Sequence, residues 1–215
     1  MSSIASRMTR YLFLAIFLSL TACSTVEEVP DSLNSGSWQS HQATLNEINH
    51  WFATGRAAIN NGVESWHVNL LWLQQGDQFQ IRLFGPFGAG QVELSGNDHQ
   101  VELLTSDNER FYSHDIDDLL YQRTGVKMPV AELRYWLIGL PSPGSKEAAS
   151  IDKHGRLSQL KQGNWRVRYK RYMPVNGLVL PRKIFADKQD LDVRVVIDEW
   201  KLGITTLENP FNDKS

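Results

Sequence analysis

Six histidines, at positions 41, 50, 67, 99, 114 and 154, are the first residues that could do chemistry. A zinc hydrolase sets two of them one helical turn apart around a glutamate, and no pair here has that spacing. Nor does the chain carry a nucleophile elbow, a phosphate-binding loop or a dinucleotide fingerprint. Asp115, Asp117 and Asp118 cluster, but they open an amphipathic stretch, where carboxylates cap a helix and complement its dipole. The glycine-rich run "GPFGAG" at 85–90 resembles a phosphate cradle in composition alone. A cradle leads into a helix N-terminus, whereas this run leads into "QVELSG", which has the pattern of a strand. Arg166, Arg168 and Lys170 share one face of another strand; they are either a solvated face or a dock for an acidic surface. The expectation is a protein that is not an enzyme and uses no cofactor or metal. Catalytic groups can converge from distant strands, so a membrane-anchored cell-envelope hydrolase stays open as an alternative.

The one residue whose chemistry is legible is Cys23, the single cysteine among 215 residues. It follows a basic start (Arg7, Arg10) and an apolar stretch, "YLFLAIFLSL", of about ten residues, shorter than the roughly 20 a membrane-spanning helix needs. Leu20-Thr21-Ala22-Cys23 resembles the bacterial lipobox, in which the cysteine receives lipid before cleavage. No internal disulfide is possible, so Cys23 is better explained as an acylation site, and two or more acyl chains make a stable anchor. Ser24 follows it where Asp would favour inner-membrane retention in lipoproteins of the enteric type; by that likeness the address is the outer membrane, facing the periplasm of a Gram-negative bacterium. Residues 1–22 then read as a signal peptide, 23–37 as an acylated cysteine with a polar tether, and 38–215 as one domain.

The domain's formal charge contribution is unremarkable (the whole chain is −2), which gives no reason to expect nucleic acid. All seven tryptophans lie beyond the tether. "WQSHQATLNEINHWF" sets Trp38, Leu45, Ile48 and Phe52 at helical spacing, predicting a first helix over Trp38 to Phe52. The period then becomes two: Trp66, Val68, Leu70 and Trp72 alternate with polar or outward residues, as do Phe79, Ile81 and Leu83, then Val92 and Leu94, then Val101 and Leu103. Short Gly/Asn/Asp-rich connections between them predict an antiparallel meander. "SHDIDDLLYQRTG", capped by Asp115 and stopped by Gly125, and "MPVAELRYWLIGLP", with Pro129 in its first turn, predict two more helices. Strands then return around Trp165, Val167 and Tyr169 and run to "LDVRVVIDEW". The fold class is mainly β with α: one strongly curved antiparallel sheet whose apolar face must be covered by about three helices. Such an interior can be filled or can leave a ligand cavity.

The loop Pro86-Phe87-Gly88 joins two strands and so lies at the sheet rim. Phe87 either folds back onto the core or projects into solvent. At this rim the chain resembles the LolB family of outer-membrane lipoprotein receptors. The resemblance rests on the lipobox around Cys23, "RLFGPFGAGQVEL", "LRYWLIGLP", "NWRVRYKRY" and "VVIDEW", in that order over the whole chain. It implies an unclosed antiparallel half-barrel with helices over an apolar cavity. It also implies a receptor that accepts lipoproteins from a periplasmic LolA-like carrier and places them in the inner leaflet of the outer membrane without nucleotide hydrolysis. The family carries a protruding leucine after the proline of this loop, and Phe87 stands at that position; the resemblance therefore favours a projecting Phe87, flanked by Pro86 and Gly88, as the membrane-insertion residue.

Acyl chains require a dry, adaptable pocket. The expected lining is Trp66, Val68, Leu70 and Trp72 with Phe79, Ile81 and Leu83 from the meander. Trp136 and Leu137 would come from the cover, and Trp165 and Val167 from the later strands. Plain core packing is the alternative for each of these residues singly, and a structural or assembly lipoprotein with a solid core is the alternative for the whole. The expected form is a monomer.

Overall fold

The computed structural model describes residues 36–86, 90–203 and 211. Helix α1 (Trp38–Asn46) starts where the Ser37 side chain accepts a hydrogen bond from the Ser40 N–H at 3.2 Å. Six strands follow: β1 (His50–Asn60), β2 (Ser65–Gln75), β3 (Gln78–Phe84), β4 (Val92–Gly96), β5 (Val101–Thr105) and β6 (Arg110–Ser113). Helices α2 (Ile116–Thr124) and α3 (Val130–Ile138) come next. Strands β7 (Glu147–Ile151), β8 (Leu157–Gln162), β9 (Trp165–Val175), β10 (Leu178–Lys188) and β11 (Leu191–Leu202) complete the chain of elements.

All eleven strands form one antiparallel sheet in the order β6-β5-β4-β3-β2-β1-β11-β10-β9-β8-β7. Two consecutive meanders are thus stitched together by the first and last strands, Ala57 facing Val195 and Ile59 facing Val193 across the seam. The sheet ends at β6 and β7, which do not pair, so the barrel is unclosed. The chain leaves one edge at β6 and re-enters at the other as β7, and α2 and α3 lie between. Helix α2 packs on β6 and α3 on β10, so this crossing segment becomes the roof over the concave face.

Local chemistry explains both roof helices. The Asp115 carboxylate accepts from the N–H groups of Asp117 (2.8 Å) and Asp118 (3.1 Å), and Gly125 ends α2 in the left-handed conformation. Pro129 precedes α3, and Gly139 stops it at φ 87°, a backbone region L side chains avoid. A Cβ on Gly139 would also stand 3.2 Å from Pro181 Cγ of β10, so the helix end is pressed onto the sheet.

One expected boundary is wrong. The first helix was expected to run to Phe52, but it stops at Asn46, and His50, Trp51 and Phe52 begin β1. Both faces of this strand are covered: Trp51 points into the main core, its ring 5.6 Å from Trp72 and 5.3 Å from Trp200, while Phe52 packs on Phe211 outside. Apolar residues on both faces erase the period of two, and the spacing of Leu45, Ile48 and Phe52 imitates a helix.

Candidate functional site

The concave face is half hollow. A cavity of about 490 Å³ lies between the β1–β4 and β11 side of the sheet and the α2–α3 roof. Period two in β2 turns Trp66, Val68, Leu70 and Trp72 to it, and β3 adds Ile81 and Leu83. From the roof come Leu120, Leu133 and Leu137, and the α2–α3 linker adds Val126 and Met128. The volume lies in the range of small-molecule sites, and the walls are almost wholly aliphatic and aromatic. Polar groups gather at one end: Glu64 after the β1–β2 turn, and Arg123 and Thr124 in the last turn of α2. The Arg123 guanidinium lies 3.4 Å over the Phe111 ring, fixed at this mouth by β6. Gly90, at the far end of the 85–90 loop, lines the same mouth. A hollow with these walls can take a flexible hydrocarbon.

Seven of the eleven residues expected to line a cavity therefore meet at one (Trp66, Val68, Leu70, Trp72, Ile81, Leu83 and Leu137). Four stand elsewhere, for physical reasons. Trp136, Trp165 and Val167 belong to the filled half of the interior: the two indoles pack 5.9 Å apart, and Val167 is fully buried. That half is locked by polar contacts. Trp136 Nε1 donates to Gln162 Oε1 at 2.9 Å, the Ser142 N–H donates to the same oxygen, and Tyr169 OH donates to the Trp136 carbonyl at 3.1 Å. Burial alone pushes the Tyr169 phenol well up, so it stays a neutral donor. Phe79 sits at the other end of β3 and faces a separate, more polar hollow beside Asp98, Asp117 and Glu132. Of the rim loop, Pro86 is exposed. Phe87, Gly88 and Cys23 lie outside the described residues.

Ala57, Ile59, Val92, Leu94, Val193 and Val195 also line the cavity and were not anticipated as such. Their signal was present: each sits on the inward register of its strand. What the sequence did not reveal is that β1 pairs with β11, which sets Val193 opposite Ile59 and Val195 opposite Ala57 on one cavity wall.

The strand face offered by Arg166, Arg168 and Lys170 is less basic than its sequence. Asp187 of β10 pairs with Arg166 at 2.7 Å and Arg168 at 2.8 Å, and these two guanidinium groups hold its carboxyl below the usual range against the opposing effect of burial.

One feature of the roof is electrostatic. Asp117 Oδ1 accepts from the Val130 N–H at 2.9 Å, so a carboxylate of α2 caps α3, whose own Pro129 provides no side-chain cap. Burial raises the Asp117 carboxyl to about 6; Glu132 and Asp115 push the same way, while the Val130 hydrogen bond and Lys127 oppose.

Comparison with known proteins agrees with this architecture. A family model described as "Outer membrane lipoprotein LolB" matches residues 49–200. An outer-membrane lipoprotein LolB of Nitrosococcus oceani is 40% identical over 194 residues, spanning 89% of this chain and 96% of that protein. One of Pseudomonas fluorescens is 35% identical over 196 residues, 90% of this chain and 96% of that one. Among solved structures, a LolA superfamily protein of Nitrosomonas europaea superposes with a TM-score of 0.55 at 10% identity, over 80% of this chain and 96% of that one. A putative outer membrane lipoprotein-sorting protein domain of Vibrio parahaemolyticus gives 0.51 at 10% identity, over 81% and 94%. At that identity the likeness is one of fold.

Proposed function

The chain belongs to the LolB family of outer-membrane lipoproteins, and from that premise we propose that its half-hollow sheet holds the acyl chains of lipoprotein cargo on their way into the outer membrane. The protein is an outer-membrane receptor of lipoprotein localisation. The observation that carries the acyl-chain reading is the cavity of about 490 Å³, walled by Trp66, Val68, Leu70 and Ile81 below and by Leu120, Leu133 and Leu137 above. A methylene moved from water to such a wall gains about 0.8 kcal/mol, and branched and aromatic side chains accommodate a hydrocarbon without demanding one conformation.

Transfer then runs downhill. The cavity must bind acyl chains more tightly than the periplasmic carrier does, and the bilayer must hold them more tightly still; each 1.4 kcal/mol is a factor of ten in occupancy. Cys23, acylated, holds the receptor on the membrane, and residues 23–37 tether the domain. Phe87, between Pro86 and Gly88 in the sequence, is the membrane probe; Gly90, three residues further on, lines the cavity mouth with Glu64 and Arg123. Burial of a phenylalanine in lipid gives about 1.5–3 kcal/mol, enough to bias a domain that is already tethered.

The test is a transfer assay with radiolabelled lipoprotein loaded on the purified carrier, no nucleotide, and liposomes as acceptor. The parent should pass label to liposomes. Phe87→Glu should take label from the carrier and retain it. Normal delivery by Phe87→Glu removes the probe role, and failure of the parent to take label from the carrier removes the receptor reading.

A further inference from the structure

The outer face of the sheet carries an arrangement that the cavity does not use. Two neighbouring ladders cross strands β2, β1, β11, β10 and β9. In one, His67 faces Ala58, Ala58 faces Arg194, Arg194 faces Phe185, and Phe185 faces Arg168. In the next, Arg56 faces Val196, Val196 faces Lys183, and Lys183 faces Arg171. The result is a ring of cations about one aromatic side chain: Lys183 Nζ lies 5.3 Å, Arg194 Cζ 5.4 Å and Arg168 Cζ 5.8 Å from the Phe185 centroid. Beside it runs a groove of about 440 Å³ walled by Arg56, His67, Lys183, Phe185, Arg194 and Pro86.

Charge on this face is unevenly answered. Asp198 is engaged by Arg56 at 3.1 Å, and Asp187 by Arg166 and Arg168. Asp192 lies across from Asp187 and near Arg166. Lys183 and Arg194 pair with no carboxylate among the described residues. Cations drawn together on a sheet repel one another, and a single cation would satisfy the ring face, so the surplus asks for an anion from outside.

We infer that this groove seats the phosphate layer of a lipid bilayer, with Lys183 and Arg194 on anionic headgroups and Phe185 at the interface beneath them. The inference rests on the membrane-delivery reading above, because it takes the bilayer to be the surface the protein meets. Two features favour lipid over an acidic protein. Pro86 belongs both to this groove and to the 85–90 loop, so a membrane reached by that loop is presented to the groove at once. The apolar floor among long cationic side chains matches a layer where phosphates lie directly above hydrocarbon.

The experiment uses the mature chain with Cys23→Ser, so that no acyl anchor masks weak binding, and vesicles of phosphatidylcholine alone or with one quarter phosphatidylglycerol. Parent protein should co-sediment more with the anionic vesicles, and added salt should remove the excess. Lys183→Gln and Arg194→Gln together should weaken that binding about twenty-five-fold, about fivefold for each cation, and leave binding to phosphatidylcholine unchanged. Because both side chains lie outside the core, circular dichroism should show the fold intact; a Lys153→Gln variant, which removes an exposed cation between β7 and β8 away from the groove, should bind anionic vesicles like the parent. Equal binding of parent and double variant to anionic vesicles overturns the proposal. So does a double variant that binds vesicles normally but takes cargo from the carrier more slowly, since that makes the face a dock for acidic protein. Cargo binding in solution, measured without vesicles, tests the cavity separately: its loss in the parent would sink the receptor reading and leave the lipid dependence standing.

Discussion

Gly55 shows how much one missing side chain decides. It sits in β1 at an irregularity in the pairing with β11, and a Cβ there would stand 2.3 Å from the Val196 carbonyl oxygen. The obstacle is backbone on the partner strand, so it cannot rotate away. Gly55→Ala should destabilise the fold by about 3 kcal/mol, seen as an earlier urea midpoint, because the seam joining the two meanders must open to admit the methyl. Gln162 matters for a different reason: its side-chain carbonyl receives both Trp136 Nε1 and the Ser142 N–H. Gln162→Ala leaves a buried indole donor without its acceptor and should cost about 2–3 kcal/mol in the same measurement. Both variants should keep the cavity, since neither residue lines it. Neither role is visible along the chain. Gly55 reads as a stray glycine in an alternating stretch and Gln162 as a polar strand end, because each is defined by a residue more than twenty positions away or by a partner strand. By contrast Asp115, Gly125 and Gly139 were legible, because a cap and its helix are neighbours in sequence.

The roof helices are held by a bond between elements. Asp117 of α2 accepts from the first N–H of α3, and its carboxyl, pushed up to about 6 mainly by burial, binds a proton more tightly in the folded protein than the ordinary 3.8. The unfolded chain therefore ionises first as pH rises, and the contribution to stability declines from about pH 4 to about pH 6 and stays low above that. His41 shifts the other way: burial, with Arg156, lowers its pKa, which makes stability rise with pH in the neighbouring window. The discriminating measurement is the difference in melting temperature between parent and Asp117→Asn across pH 4–7. The asparagine keeps an oxygen for the Val130 N–H and does not titrate, so the variant should gain on the parent as pH rises from about 4 to about 6 and hold level above that. A difference that stays constant over this range refutes the assignment. Asp117→Ala should lose about 1 kcal/mol near pH 4, the usual cost of a missing helix cap. Element by element, most of the fold was legible where one face was polar, as in β3 and β9; β1 was lost to its two apolar faces.

At the scale of the whole molecule, the feature that matters is that one sheet serves two interiors. Between α3 and β8–β10 the space is filled by Trp136, Trp165 and Val167; between α2, α3 and β1–β4 it is left open. A chain of tryptophans and alternating aliphatics announces a large apolar interior, but which half stays empty depends on where the crossing helices land, and that follows from the β1–β11 seam rather than from any local pattern. An open interior also leaves apolar wall in contact with water, so filling it should stabilise the protein. A ligand that binds only the folded state, at a hundred times its dissociation constant, adds about 2.7 kcal/mol. For a domain of this size that is a rise in melting temperature of roughly 5–10 °C. Lauric acid below its critical micelle concentration is the probe. Val68→Trp, which extends an indole into the cavity from β2, should melt within a few degrees of the parent, lose most of the laurate-induced rise, and take up less lipoprotein from the carrier. If laurate protects Val68→Trp as fully as the parent, the stabilising site is not this cavity, and the downhill transfer built on it fails with it.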